Sequence, residues 1–235
     1  MTHDRVGELV PRRAVVAGLG ALVGAGVGIG ASAIGWRDAA GHAGAATPGE
    51  LLMTDHGVLK RVLLIYRALL ERPEGRFSGA IARRGASIIH DYIESFHEAL
   101  EERYVFPVLR AAGRLEETVD VLLAQHAAGR RITQTLLGLP RSAQLDPATE
   151  ADARRGLSAF VRMYEPHEAR EDTVVFPAYR DIMGDSALSR AAEQFAAAQR
   201  QQFGPAAIPR ILDLVSALET AMGIDDLSDF TPRVG

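Results

Sequence analysis

His97-Glu98-Ala99-Leu100-Glu101-Glu102-Arg103-Tyr104-Val105-Phe106-Pro107-Val108-Leu109-Arg110 recurs seventy positions later as His167-Glu168-Ala169-Arg170-Glu171-Asp172-Thr173-Val174-Val175-Phe176-Pro177-Ala178-Tyr179-Arg180. Eight of the fourteen positions are identical, where average residue frequencies give about one. The shared skeleton is H-E-A-x-E-x-x-x-V-F-P. A histidine and a glutamate four residues later stand one above the other on a helix face. Each copy therefore reads as a helix that presents an imidazole and a carboxylate together, and in both copies that face is the apolar one.

Outward from the repeat, helical periodicity runs from residue 47 onward with no strand alternation. Thr47-Pro48-Gly49-Glu50 reads as a capping box with proline in the first turn. Behind it come Leu52, His56, Leu59, Leu63, Tyr66 and Leu70, spaced alternately four and three and ended by Pro73 and Gly75. A second helix over about 78–106 carries Ala86, His90, Ile93, His97, Leu100 and Tyr104 near one face, and Gly113 breaks the chain. The third carries Leu115, Val119, Leu122, His126, Gly129, Thr133 and Leu136 and stops at Gly138 and Pro140. Asp146-Pro147 starts a fourth, with Leu157, Phe160, Tyr164, His167, Glu171, Val174 and Ala178 on its stripe; Pro166 predicts a kink just before His167.

Such spacing packs helices at shallow angles, and short loops make sequential helices antiparallel. The expected fold is all-α, an antiparallel up-down-up-down four-helix bundle over residues 46–183. Residues 184–235 form a C-terminal helical extension and tail, with amphipathic stretches at 187–203 and 208–222 and no evident chemistry.

The 235 residues are 47% hydrophobic and 24% charged, which excludes wholesale disorder. A net charge of −4 and the lack of a Lys/Arg block argue against a nucleic-acid partner. With no cysteine, disulfides, thiolate metal sites, iron–sulfur clusters and cysteine nucleophiles are excluded. In residues 1–45, Arg12-Arg13 precedes 23 uncharged residues, 14–36, rich in Ala, Gly and Val. That order is the grammar of an export signal and resembles the twin-arginine type. Ala43-Gly44-Ala45 offers a cleavage site, which would leave Ala46 as the new N-terminus of a periplasmic or extracellular protein. The alternative is a retained membrane anchor, since the uncharged run is long enough to span a bilayer.

Each of the four helices carries one histidine on its apolar stripe, and two of these have a glutamate at i+4. A lone stripe histidine is more often a satisfied core residue, and an isolated His-x-x-x-Glu is a common surface pair. The conjunction points elsewhere. Burying four imidazoles and two carboxylates costs several kcal/mol per charged group without compensation, and a pair of metal cations compensates directly. Imidazole and carboxylate without thiolate suit iron, manganese or zinc. Two carboxylates from different helices can each bridge two metals while the histidines bind terminally.

Asp55-His56, His97-x-x-x-Glu101-Glu102 ending in Val105-Phe106-Pro107, Gln125-His126, and His167-x-x-x-Glu171 ending in Phe176-Pro177 resemble the hemerythrin-like (HHE cation-binding) family over about 130 residues. The resemblance implies a centre of two non-haem iron ions, in preference to manganese or zinc. Its terminal ligands would be His56, His97, His126 and His167, and its bridges Glu101 and Glu171. Glu98 matches a glutamate that some members place among the ligands. It lies about 100° around the helix from His97, so it is either a ligand or an outer partner.

Oxygen-carrying members add a histidine one turn after the third-helix histidine. Here that position is Arg130, which argues against reversible oxygen transport. His90, roughly 10 Å along the helix from His97, is expected outside the cluster, in a core hydrogen bond or at the solvent edge. The function expected is binding or reaction with oxygen, peroxide or nitric oxide, in sensing, scavenging or detoxification, with a redox partner to reduce the metals. The alternatives are iron binding or storage, and a structural metal site in an envelope protein.

Overall fold

Thr47 starts the first helix as its capping box predicts. Its hydroxyl accepts the Glu50 N–H at 3.3 Å, and its own N–H donates to the Glu50 carboxylate at 2.7 Å. The computed structural model describes residues 46–140 and 145–232. The export-signal, cleavage-site and anchor readings of residues 1–45 lie outside the described residues.

Helix α1 (Pro48–Leu70) is followed by α2 (residues 79–111), α3 (Glu116–Leu137), α4 (residues 147–182), α5 (Asp185–Phe203) and α6 (Ala207–Met222). Every regular element among the described residues is a helix, and none is long and apolar enough to cross a membrane. The Ser78 hydroxyl caps α2 by accepting the Ile81 N–H at 3.3 Å. The Asp146 carboxylate caps α4 by accepting the N–H groups of Ala148 and Thr149. Gly113 makes the turn before α3 at a φ of 63°, a conformation that costs glycine nothing.

Helices α1 and α3 each pack against both α2 and α4. Leu59 and Leu63 of α1, Ile93 of α2, Leu122 of α3, and Leu157 and Phe160 of α4 are buried in the core between them. Each such side chain contributes about 1.5–3 kcal/mol by leaving water. Helices α5 and α6 lie on α1. They bury Phe195, Val215 and Leu218, and Arg61 of α1 donates to Glu219 at 2.7 Å and to Ser216 at 2.9 Å.

The helices that carry the repeat are not α-helical throughout. Glu101–Val105 in α2 and Glu171–Val175 in α4 are π-helical, with Phe106 N–H reaching Glu101 O and Phe176 N–H reaching Glu171 O. The repeated proline explains both. Pro107 and Pro177 have no N–H to offer, and their rings clash with the carbonyl four residues back in a continuous α-helix. Widening one turn lets the α-helix restart with proline in its first turn, where the missing donor costs little.

The wider turn shifts the register. Uniform α spacing puts Tyr104 and Val174 on the buried stripes, but the structure buries Val105 and Val175 there and leaves Tyr104 and Val174 partly exposed. The kink expected at Pro166 is not where α4 departs from α geometry, since the α-helix runs on to Arg170 and changes at Glu171. A further π segment, Ile89–His97, has no proline after it, and nothing in the structure explains it.

Pro177→Ala supplies an N–H for the Thr173 carbonyl. The variant is expected to fold with α-type bonding through 171–175 and with Val174 drawn into the core. A crystal structure that keeps the Phe176-to-Glu171 bond would show that proline does not set the wide turn.

Candidate metal centre

The two wide turns aim Glu101 and Glu171 at each other across the core, where both are 0% exposed. Four imidazoles surround them with Nε2 pointing inward. His97 Nε2 is 3.4 Å from Glu101 Oε1, and His126 Nε2 is 3.6 Å from Glu101 Oε2. His56 and His167 place their Nε2 atoms 3.4 Å and 3.2 Å from Glu171 Oε2. Each carboxylate thus lies between one histidine from α1 or α2 and one from α3 or α4. Ligand atoms of His56, His97, Glu101 and Glu171 lie within 4.8 Å of one another, as do those of His126, His167 and Glu171.

Each histidine uses its other nitrogen outward. The Nδ1–H of His56 donates to Asp172 at 2.7 Å, and that of His97 to Asp55 at 3.3 Å. His126 donates to Glu102 at 3.0 Å and His167 to the Gln125 amide oxygen at 2.8 Å. These partners fix the tautomer and leave the Nε2 lone pairs facing inward. They are the outer hydrogen bonds that metal-binding histidines characteristically make. Asp55, Glu102 and Gln125 stand in the motif that carries the family resemblance, but no role is expected of them or of Asp172 from the sequence, although the offset of seventy relates the four: Asp55 pairs with Gln125 and Glu102 with Asp172, as His56 does with His126. Phe176 stacks on His56 at 5.6 Å and Phe106 on His126 at 5.7 Å, so the phenylalanines of the repeat wall the imidazoles off.

The donor set fits a metal pair. Both oxygens of Glu101, both of Glu171 and Nε2 of His56 have no hydrogen-bond partner and no contact with solvent. Donors sharing one divalent cation at about 2.1 Å stand about 3 Å apart at a right angle, close to the separations observed. The His126 and His167 Nε2 atoms face each other at 3.2 Å, a meeting of lone pairs that a proton or a metal cation relieves. Without metal the protons do that work. Burial disfavours a charged His56, but its hydrogen bond to Asp172 and the nearby Glu171 carboxylate outweigh it and raise its pKa to about 9. The same opposition, won by nearby carboxylates, raises His97 and His126, while the facing imidazoles hold Glu171 far below the usual carboxylate range despite its burial.

Glu98 is placed differently. It is buried, but Tyr164 donates to its Oε1 at 2.7 Å and Arg130 Nη2 stands 2.7 Å from its Oε2. It lies on the outer side of His126, 4.0 Å from Nδ1. The same Arg130 nitrogen meets Glu102 at 2.7 Å, so a guanidinium already fills the space where Glu98, Glu102 and His126 could otherwise gather a cation. Gly129 makes room for this arrangement, because a Cβ there would meet the Tyr164 hydroxyl at 2.1 Å. His90 sits at the solvent edge and bonds Asp91 at 2.8 Å, apart from the cluster.

Residues 47–179 match the Hemerythrin HHE cation binding domain. The chain belongs to the hemerythrin HHE cation-binding family. It is 42% identical over 189 residues to an uncharacterized protein of Mycobacterium bovis and, at the same identity, to uncharacterized proteins of two Mycobacterium tuberculosis strains; the match covers 79% of this chain and 74% of each relative. No solved structure matches the chain. The family match implies a metal-binding site, and the buried His/Glu clusters could hold the metal.

The pH dependence follows from His56. Its folded pKa of about 9 lies above the unfolded value of about 6.5. Its contribution to the metal-free fold is therefore complete below pH 6.5 and lost as pH rises through 9. Metal must displace these protons, so its affinity rises over the same range. The gain in Tm on adding metal is expected to widen from pH 6 to pH 9, to shrink clearly in His126→Ala and to persist in His90→Ala. A gain that is flat with pH, or reduced equally in His90→Ala, would contradict this ligand set.

Proposed function

We propose that this chain is a non-haem di-iron protein that binds or reacts with oxygen, peroxide or nitric oxide, in sensing, scavenging or detoxification. Its four-helix part is read as an antiparallel up-down-up-down bundle, supported by the short connections between α1, α2, α3 and α4. The observation that carries the reading is the inward convergence of four Nε2 atoms and two carboxylates that have no other use in a sealed core. Iron bound there supplies a change of oxidation state and coordination positions for a small molecule.

The remaining chemistry belongs to the chain. Asp55, Glu102, Gln125 and Asp172 keep the Nδ1 protons, so the lone pairs stay turned to the centre. Phe106 and Phe176 exclude bulk water from two of the imidazoles. Arg130 cannot donate a lone pair, and its ion pairs with Glu98 and Glu102 keep it beside the centre instead of in it. Six protein ligands for two irons leave positions free, which favours reaction with a small ligand over a purely structural site. A nitrogen and oxygen donor set also admits manganese and zinc, so iron rests on the family and on availability of the metal.

The N-terminal segment enters the proposal as a twin-arginine-type export signal. Arg12-Arg13 and the uncharged run behind it support this reading, and a route that carries folded proteins suits a metal loaded before export.

The test takes the protein from its native cells through metal analysis, N-terminal sequencing and absorption spectroscopy, before and after anaerobic reduction and exposure to each small molecule. The expected result is a chain beginning near Ala46 outside the cytoplasm, with about two irons, near-ultraviolet bands, and fast irreversible reoxidation by oxygen. One zinc and a featureless spectrum would make the site structural. Many irons per chain would make the protein a store, and full release of oxygen on lowering its pressure would make it a carrier.

A further inference from the structure

The two halves of the centre are built alike, and their surroundings differ by one charge. The offset of seventy maps His56 onto His126, His97 onto His167, Glu102 onto Asp172, Lys60 onto Arg130, and Glu98 onto Glu168. Lys60 pairs with Glu168 beside one half as Arg130 pairs with Glu98 beside the other, so these pairs cancel. Asp172 behind His56 matches Glu102 behind His126. The remaining pair does not match: Asp55 stands behind His97, and its counterpart behind His167 is the neutral Gln125.

We infer that the two metal positions are unequal, and that the His56/His97 position fills first and empties last. The inference rests on the two-metal reading. A carboxylate that accepts the Nδ1 proton makes the imidazole a better donor than an amide does. Asp55 is buried, so water screens its charge little, whereas Gln125 is half-exposed. Asp55 is also held in place: Tyr92 donates to its Oδ1, and Gln199 of α5 donates to the Tyr92 hydroxyl at 3.1 Å. The C-terminal extension therefore reaches a ligand of this half through Gln199, Tyr92 and Asp55.

The opposite half has weaker support. The Glu102 carboxylate behind His126 is shared with Arg130 at 2.7 Å, which draws off part of its charge. Among the described residues, Asp172 has no ion pair except with His56. The donor geometry agrees, since four ligand atoms gather tightly around the His56/His97 position and three around the other.

Titration of the metal-free protein with Co²⁺, followed by calorimetry and electron paramagnetic resonance, tests this without turnover. Two steps are expected, with affinities at least about tenfold apart and the first equivalent giving the signal of an isolated ion. His97→Ala should abolish the tight step and His167→Ala the weak one. Gln125→Glu, at a half-exposed position that tolerates a charge, should strengthen the weak step about tenfold. Tyr92→Phe or Gln199→Ala should weaken the tight step and spare the other. Two equal steps in the unaltered protein, or a gap unchanged by Gln125→Glu, would overturn the inference and leave the metal pair standing. Failure of the unaltered protein to bind Co²⁺ in the core would overturn the two-metal reading itself.

Discussion

Glu101 and Glu171 face each other in the middle of the helical core, sealed from water and without hydrogen bonds to their oxygens. Two bare carboxylates in such a place cost several kcal/mol each. Much of the surrounding structure bears on that cost. Four imidazoles on four helices close around the pair, and a cation, whether proton or metal, must sit among them to balance the charge. In the metal-free chain protons serve, and the carboxylates around them raise the pKa values of His56, His97 and His126 above that of a free imidazole despite burial. On the proposed reading, a metal pair would replace those protons with fixed charge and take the six inward donors as ligands.

The helices bend their own geometry to make this meeting possible. Pro107 and Pro177 force a wide turn, the wide turns begin at Glu101 and Glu171, and the phenylalanine just before each proline lands on an imidazole. One short repeat thus encodes a candidate ligand, the backbone irregularity that aims it and the ring that shields its neighbour. Around this lies a layer of Asp55, Glu102, Gln125 and Asp172, each holding a histidine on a different helix, so the four helices are tied through the centre as well as through their apolar contacts. Helix α5 extends that layer outward through Gln199, which donates to Tyr92 of α2.

The sequence carries the helices, their caps and the six inward donors openly, because each leaves a local mark: a capping box at Thr47, a stripe of three and four, a histidine with glutamate one turn on. It carries the register after Glu101 and Glu171 poorly. Periodicity assumes one helical pitch, so Tyr104 and Val174 look buried where Val105 and Val175 are, although the prolines that break the pitch are plainly there. Glu98 shows the other limit. Its position next to His97 is visible in the chain, but its fate depends on Arg130 and on the space left by Gly129 for Tyr164, residues on two other helices. The outer partners and the role of Gln199 belong to the same class, since each acts on a histidine distant in sequence.

The central claim is that the buried carboxylates exist to hold two metal ions between paired histidines. A crystal structure of the iron-loaded protein, with anomalous scattering recorded at the iron edge, measures this most directly. The account predicts two peaks, one at His56 and His97 and one at His126 and His167, with Glu101 and Glu171 between them and Glu98 still on Arg130. A single peak, or metal found on the surface while the core imidazoles and carboxylates hold none, would contradict it.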